Sequence, residues 1–154
     1  MSIYADTNFF TSSLLELPFS EEAGRLMENL LESDTALPVP LLLKLEVTSA
    51  LQRLVFESRT GSQPLRITPE MALLAEAAFL SQVEDGFLMR DCAIPDAELG
   101  AQFSDLVHRH TAKHGFRTYD TLHVASALVL GCDTLWTFDI RTKKLAALEG
   151  LKTN

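Results

Sequence analysis

Four carboxylates carry the chemistry in this sequence: Asp6, Glu46, Asp120 and Asp139. Asp6 follows the apolar run Ile3-Tyr4-Ala5 directly, and Phe9 and Phe10 come close behind. An ionised carboxylate between apolar runs is costly to bury unless it caps a turn or meets a cation. Glu46 has Leu42, Leu43, Ser49 and Ala50 three and four residues away on a predicted helix, so it points to the interior or a cleft. Asp120 falls in the first turn of an apolar helix with Thr118 as candidate N-cap, where the helix dipole favours an acid and keeps it ionised. Asp139 ends the run LWTFD and would cap the helix that follows, with Thr137 on the same side of the strand. Singly, each acid has an ordinary explanation as a turn cap, a core-edge glutamate, a first-turn charge or a helix cap. Gathered in one cleft, they would repel by roughly several kcal/mol at intermediate dielectric. Such a group persists only with a cation or with raised pKa values. All-oxygen ligation with no His or Cys pattern suits Mg²⁺ or Mn²⁺, as one ion or two. That chemistry points to phosphate-ester hydrolysis.

The elements that must position these acids alternate between strand and helix. Residues 2–5 predict a strand. Ser20, with Glu21 and Glu22 behind it, starts a helix that runs to about Ser33. An extended piece over 36–40 precedes a long helix over 41–58. TGSQP, 60–64, is a loop, and Thr68-Pro69 opens a helix that runs to about Glu84. A strand over 87–94 leads to a helix opened by Pro95-Asp96, with Asp96 as its cap. Leu99, Phe103, Leu106 and Val107 line one face of that helix, and Gly115 ends it. Residues 119–130 form a helix apolar nearly all round, hence buried. A strand over 134–139 and an amphipathic helix over 142–149 follow, and 151–154 is a final short edge strand. Asp34 and Asp133 precede strands as turn residues.

Strands separated by helices imply parallel pairing with right-handed crossovers and helices on both faces. The expected fold is α/β, three layers around a central parallel sheet of four to five strands, in a single domain over 1–154. In such sheets ligands bind beyond the carboxyl ends of the strands. Asp6 and Asp139 both stand at that end.

The chain has 154 residues, is 47% hydrophobic and 22% charged, and so suits one soluble domain with a proper core. Its formal net charge of −8 argues mildly against broad non-specific nucleic-acid binding, a discount that bound cations would shrink. No apolar run reaches the length of a membrane span, and no basic region followed by an apolar stretch marks a signal peptide. Cys92 and Cys132 have neither metal-type spacing nor the numbers of a disulfide framework. The expectation is a cytoplasmic protein without a membrane association.

The runs YADTNFF, LEVTSAL and RTYDTLHVASALVLGCDTLWTFDIRTKKLAALEGL resemble the PIN-domain ribonucleases, most closely the VapC-type toxins of toxin–antitoxin pairs. The resemblance covers nearly the whole chain in order, and 117–151 is its most specific part. It implies an α/β/α domain, an acidic site for Mg²⁺ or Mn²⁺, and endonucleolytic cleavage of RNA. Asp6, Glu46, Asp120 and Asp139 match the family's acids. Asn8 and Thr137 match the polar positions that support the first and last acid. The resemblance also implies a homodimer and a small antitoxin partner.

On this reading Thr7 and Asn8 hydrogen-bond waters or phosphate, and Glu46 orients a water, acts as base, or holds a second ion. Arg117, Arg141, Lys143 and Lys144 flank the site in sequence and either contact RNA phosphates or balance a helix end. His123, one turn after Asp120, reads as a packed helix histidine, and His108, His110 and His114 as a solvated face. A phosphatase of the haloacid dehalogenase type needs a second acid two residues after its first, and Asn8 stands there instead. A PIN-like module that binds RNA or protein without cutting is the remaining alternative, and a metal-dependent cleavage assay separates it. The apolar stretches LVFES and MALLAEAAFL would mostly pack in the core or else line a partner surface.

Overall fold

The computed structural model describes residues 2–33, 35–62, 64 and 66–154. Asp34, and Gln63 of the TGSQP loop, lie outside the described residues. The chain divides into two compact units, one of Met1–Asp6 with Ala93–Asn154 and one of Thr7–Cys92.

The first unit holds a parallel sheet of β1 (Ile3–Ala5), β4 (Thr134–Trp136) and β5 (Lys152–Thr153), with β4 in the middle. Ile3 pairs with Thr134, Ala5 with Trp136, and Thr134 with Lys152. β1 and β4 are buried throughout, as an unalternating apolar run predicts for strands covered on both faces. β5 is the polar, exposed edge. Helices α5 (Asp96–Leu106), α6 (Ala112–His114), α7 (Thr118–Val129) and α8 (Ile140–Leu148) complete the unit. α7 packs against both α5 and α8. Tyr4, Leu106, Val124, Leu135 and Leu145 are the fully buried centre of this core, and Leu99 and Phe103 pack against it.

Several boundaries differ from the sequence expectation. Pro95, in extended backbone, is the N-cap of α5, so Asp96 lies inside the first turn instead of capping it. Arg117 takes the N-cap position of α7 that Thr118 was expected to hold. The strand expected over 134–139 stops at Trp136, and α8 begins at Ile140. Between α5 and α6 the helix widens into a π-helical turn, Val107–Thr111, before Gly115 closes it at φ 68°. This turn carries His108, Arg109 and His110, so the three histidines do not form one solvated face. His110 Nε2 lies 2.5 Å from Glu149 Oε1, and both side chains are mostly buried. Arg109 grips the same carboxylate with two hydrogen bonds, 2.7 and 2.8 Å, and also bonds Asp105.

That grip ties the C-terminal end of α8 to the π-turn. The Arg109 hydrogen bonds hold the Glu149 carboxyl below the usual carboxylate range, against the opposing effect of burial. A carboxylate depressed in the folded state stabilises above its unfolded value and loses that contribution as pH falls through the folded one. Arg109→Met is therefore expected to lower the melting temperature near neutral pH. The gap from the parent should narrow steadily as the pH is taken below about 4, the ordinary carboxylate range. Thermal melts across that range check it, and a gap independent of pH would refute it.

The second unit holds β2 (Leu37–Pro40) and β3 (Met89–Cys92), parallel, with Leu37 opposite Met89 and Pro40 opposite Cys92. The parallel α/β reading holds, with the five strands among the described residues partitioned into sheets of three and two. Four helices belong here: α1 (Thr7–Leu14), α2 (Ser20–Leu31), α3 (Leu41–Thr60) and α4 (Pro69–Asp85). α4 starts as its sequence predicts: Thr68 Oγ1 accepts from the Met71 N–H at 3.2 Å, and Pro69 occupies the first turn. α1 was not expected, because the run after Asp6 has neither an acidic first turn nor a polar–apolar alternation. Its stability comes from packing. Phe9 and Phe10 are fully buried, and the Phe10 ring meets Phe79 of α4 edge-on at 5.3 Å. The apolar stretches of α3 and α4 are split. Val55, Ala72, Ala75 and Phe79 are buried, while Phe56, Leu73, Leu74 and Leu80 are exposed.

Candidate active site

Asp6 is placed by β1. The strand pairs with β4 up to Ala5, and the Asp6 N–H extends the ladder by donating to the Trp136 carbonyl at 3.1 Å. The side chain is 3% exposed. Its Oδ2 accepts a 2.5 Å hydrogen bond from the hydroxyl of Thr137, itself fully buried. That hydroxyl also accepts the Asp139 N–H at 3.0 Å. A threonine hydroxyl has one proton to give, and a carboxylate can only accept. The direction of both bonds follows: Thr137 donates to Asp6 and accepts from Asp139.

Asp139 is the N-cap of α8, as its place after an apolar strand predicts. Its Oδ1 accepts the Thr142 N–H at 2.8 Å and lies 3.2 Å from the Thr142 hydroxyl. The same hydroxyl lies 3.4 Å from Asp120 Oδ1. Asp120 in turn accepts the Arg117 N–H on Oδ2 at 3.1 Å, closing the first turn of α7. Two buried threonines stand between the three acids. Thr137 joins Asp6 to the Asp139 backbone, and Thr142 joins Asp139 to Asp120. Thr142 escaped the sequence reading, which took it as the first residue of a helix. Its position three residues after a capping aspartate is the signal that would have found it.

Glu46, Thr7 and Asn8 belong to the second unit. Thr7 opens α1, and its hydroxyl donates to Glu46 Oε2 at 3.1 Å. Glu46 is half-buried on α3, between the buried Leu43 and Val47, as its apolar neighbours predict. The Asn8 carbonyl accepts from Thr11 Oγ1 within α1.

Of the basic residues, Arg117, Arg141 and Lys144 are exposed. Lys143 is half-buried, and its ammonium donates to the main-chain oxygen of Asn154 at 2.7 Å. His123 is buried with Nδ1 3.1 Å from the Tyr4 hydroxyl, the packed histidine its position predicts.

Among the described residues, no three or more His, Cys, Asp or Glu side chains are grouped so as to hold an ion between them. The donor chemistry nevertheless fits a hard cation that takes one or two carboxylates and keeps its waters, the habit of Mg²⁺. Asp120 and Asp139 both lie within reach of one hydroxyl, and each also accepts a backbone N–H.

The family model of the PIN domain matches residues 3–148. The chain belongs to the PIN-domain family. Solved structures of the same fold include VapC20 of Mycobacterium tuberculosis, a sarcin–ricin loop cleaving toxin. It is 16% identical, with a TM-score of 0.65 over 96% of this chain and 95% of that one. VapBC2 of Rickettsia felis, bound to a DNA fragment from its promoter, is 15% identical. Its TM-score is 0.68, over 100% of this chain and 98% of that one. FitAcB from Neisseria gonorrhoeae is 16% identical, with a TM-score of 0.58 over 98% and 95%. At these identities the likeness establishes the fold. No curated protein matches the chain in sequence.

Proposed function

We propose that the protein is a Mg²⁺- or Mn²⁺-dependent endoribonuclease of the VapC type, the toxin of a toxin–antitoxin pair, acting in the cytoplasm. The observation that carries this reading is that the Thr137 hydroxyl bonds the Asp6 carboxylate and the Asp139 N–H, and the Thr142 hydroxyl lies within reach of the Asp139 and Asp120 carboxylates, in a chain of the PIN family. One or two of Asp6, Asp120 and Asp139 would hold each ion, one ion or two in all, with water completing its shell. A divalent cation supplies Lewis acidity toward a phosphodiester oxygen and makes a nearby water more acidic. Thr137 fixes the Asp6 carboxylate, and Thr142 can give its one hydroxyl proton to either Asp120 or Asp139. Glu46, steadied by Thr7, takes the proton of the attacking water or orients that water. Arg117, Arg141 and Lys144 are the exposed cations open to RNA phosphates, whereas Lys143 is engaged by Asn154.

An antitoxin and a second copy of the chain are the partners this reading includes. The fold resemblance to VapBC2 and FitAcB supports it.

The test is incubation of the purified protein with total RNA in Mg²⁺ or Mn²⁺, with and without chelator, and mapping of the new ends. Site-selective cuts that disappear with chelator are the expected result. Intact RNA in both metals would remove the nuclease reading and favour a silent binding module. No helix among the described residues is long and apolar enough to cross a membrane.

A further inference from the structure

Thr137 is fully buried, so its backbone N–H needs an acceptor. The paired register of the β4–β5 ladder ends at Leu135 and Thr153, before it reaches Thr137. The acceptor is a side chain instead: Asn154 Oδ1 takes the Thr137 N–H at 2.8 Å. Asn154 is held in turn by Lys143, whose ammonium donates to its main-chain oxygen at 2.7 Å. Lys143 lies one turn along α8 from Asp139, and the Asp139 N–H donates to the Thr137 hydroxyl. The connections close a ring that runs from Thr137 to Asn154, Lys143, α8 and Asp139, and back to Thr137. The only proton of the Thr137 hydroxyl leaves this ring, toward Asp6.

We infer that Asn154 and Lys143 are positioning residues for Asp6, acting through Thr137. The inference rests on the nuclease reading above. With its N–H and its hydroxyl oxygen both engaged, Thr137 cannot turn without breaking a bond, and Asp6 inherits that orientation. This gives Lys143 a structural use in place of the RNA contact expected from its position.

The test compares Asn154→Ala, Lys143→Met and Asn154→Asp with the parent in two measurements. One is amide hydrogen exchange at Thr137 and Leu135. The other is kcat and KM on an RNA oligonucleotide carrying a mapped cut site, in Mn²⁺. Asn154→Ala is expected to speed exchange at Thr137 but not at Leu135. It should lower kcat about tenfold to a hundredfold, the scale of groups that orient ligand side chains, with KM within about twofold. Lys143→Met moves both readouts the same way by less. Asn154→Asp, which keeps an acceptor oxygen in place, restores the Thr137 protection and most of the kcat.

Unchanged exchange at Thr137 in Asn154→Ala overturns the inference, and so does faster exchange with parental kcat. Equal acceleration at Thr137 and Leu135 means general loosening and overturns it too. If the parent cleaves no RNA, the nuclease reading fails and takes the inference with it. An active parent matched by an equally active Asn154→Ala sinks the inference alone.

Discussion

Asp6→Asn is expected to leave the protein folded and to cut its metal-dependent RNA cleavage by at least about a hundredfold, the scale on which one preorganised charge at a reacting centre acts. The substitution keeps the shape of the side chain and an oxygen that can accept from Thr137. It removes the anionic oxygen that a hard cation requires. The fold should not suffer, because Asp6 is a nearly fully buried carboxylate whose charge costs desolvation. Circular dichroism melts and cleavage rates on the same preparations check both halves. Undiminished cleavage by mutant protein free of contaminating nuclease would remove Asp6 from the site.

Phe79→Ala is expected to have the largest effect on stability, about 3–5 kcal/mol by the measured cost of emptying a buried aromatic site. At this chain length that corresponds to a fall in melting temperature on the order of 10 °C. Phe79 is fully buried on α4, and its ring meets Phe10 edge-on. α1 has no acidic first turn to support it on its own. Removing the ring therefore weakens the contact that makes residues 7–14 helical, and hydrogen exchange in α1 should accelerate with the loss of stability. A melting temperature within a degree of the parent would show that α1 is held by other contacts.

An ionised group beside apolar residues violates the solvation rule that governs its neighbours, and that makes it legible in sequence. Asp6 after Ile3-Tyr4-Ala5 and Asp139 after LWTF stand out for that reason, and the structure puts both at the carboxyl ends of paired parallel strands. Thr68-Pro69 and Gly115 were readable because capping and left-handed backbone are local demands. α1 was not, since the ring that meets Phe10 belongs to Phe79, which is distant in sequence. Thr142 and Asn154 were not, because a threonine or an asparagine is cheap anywhere and gains meaning only from the atoms it meets. The π-turn at Val107–Thr111 left no local signature in VHRHT.

The first unit is assembled from the two ends of the chain, with residues 7–92 running between its strands β1 and β4. Thr137 and Asp6 are 131 positions apart. A chain leaves the ribosome from its N-terminus, and pairings this distant form late. Until residues 134–137 have been made, Asp6 has no Thr137 to orient it and no β4 to hold β1. The Asp6–Thr137 bond therefore waits for the 131 residues that follow Asp6. A ribosome making this protein works beside an emerging polypeptide whose Asp6 carboxylate has yet to meet the hydroxyl that fixes it.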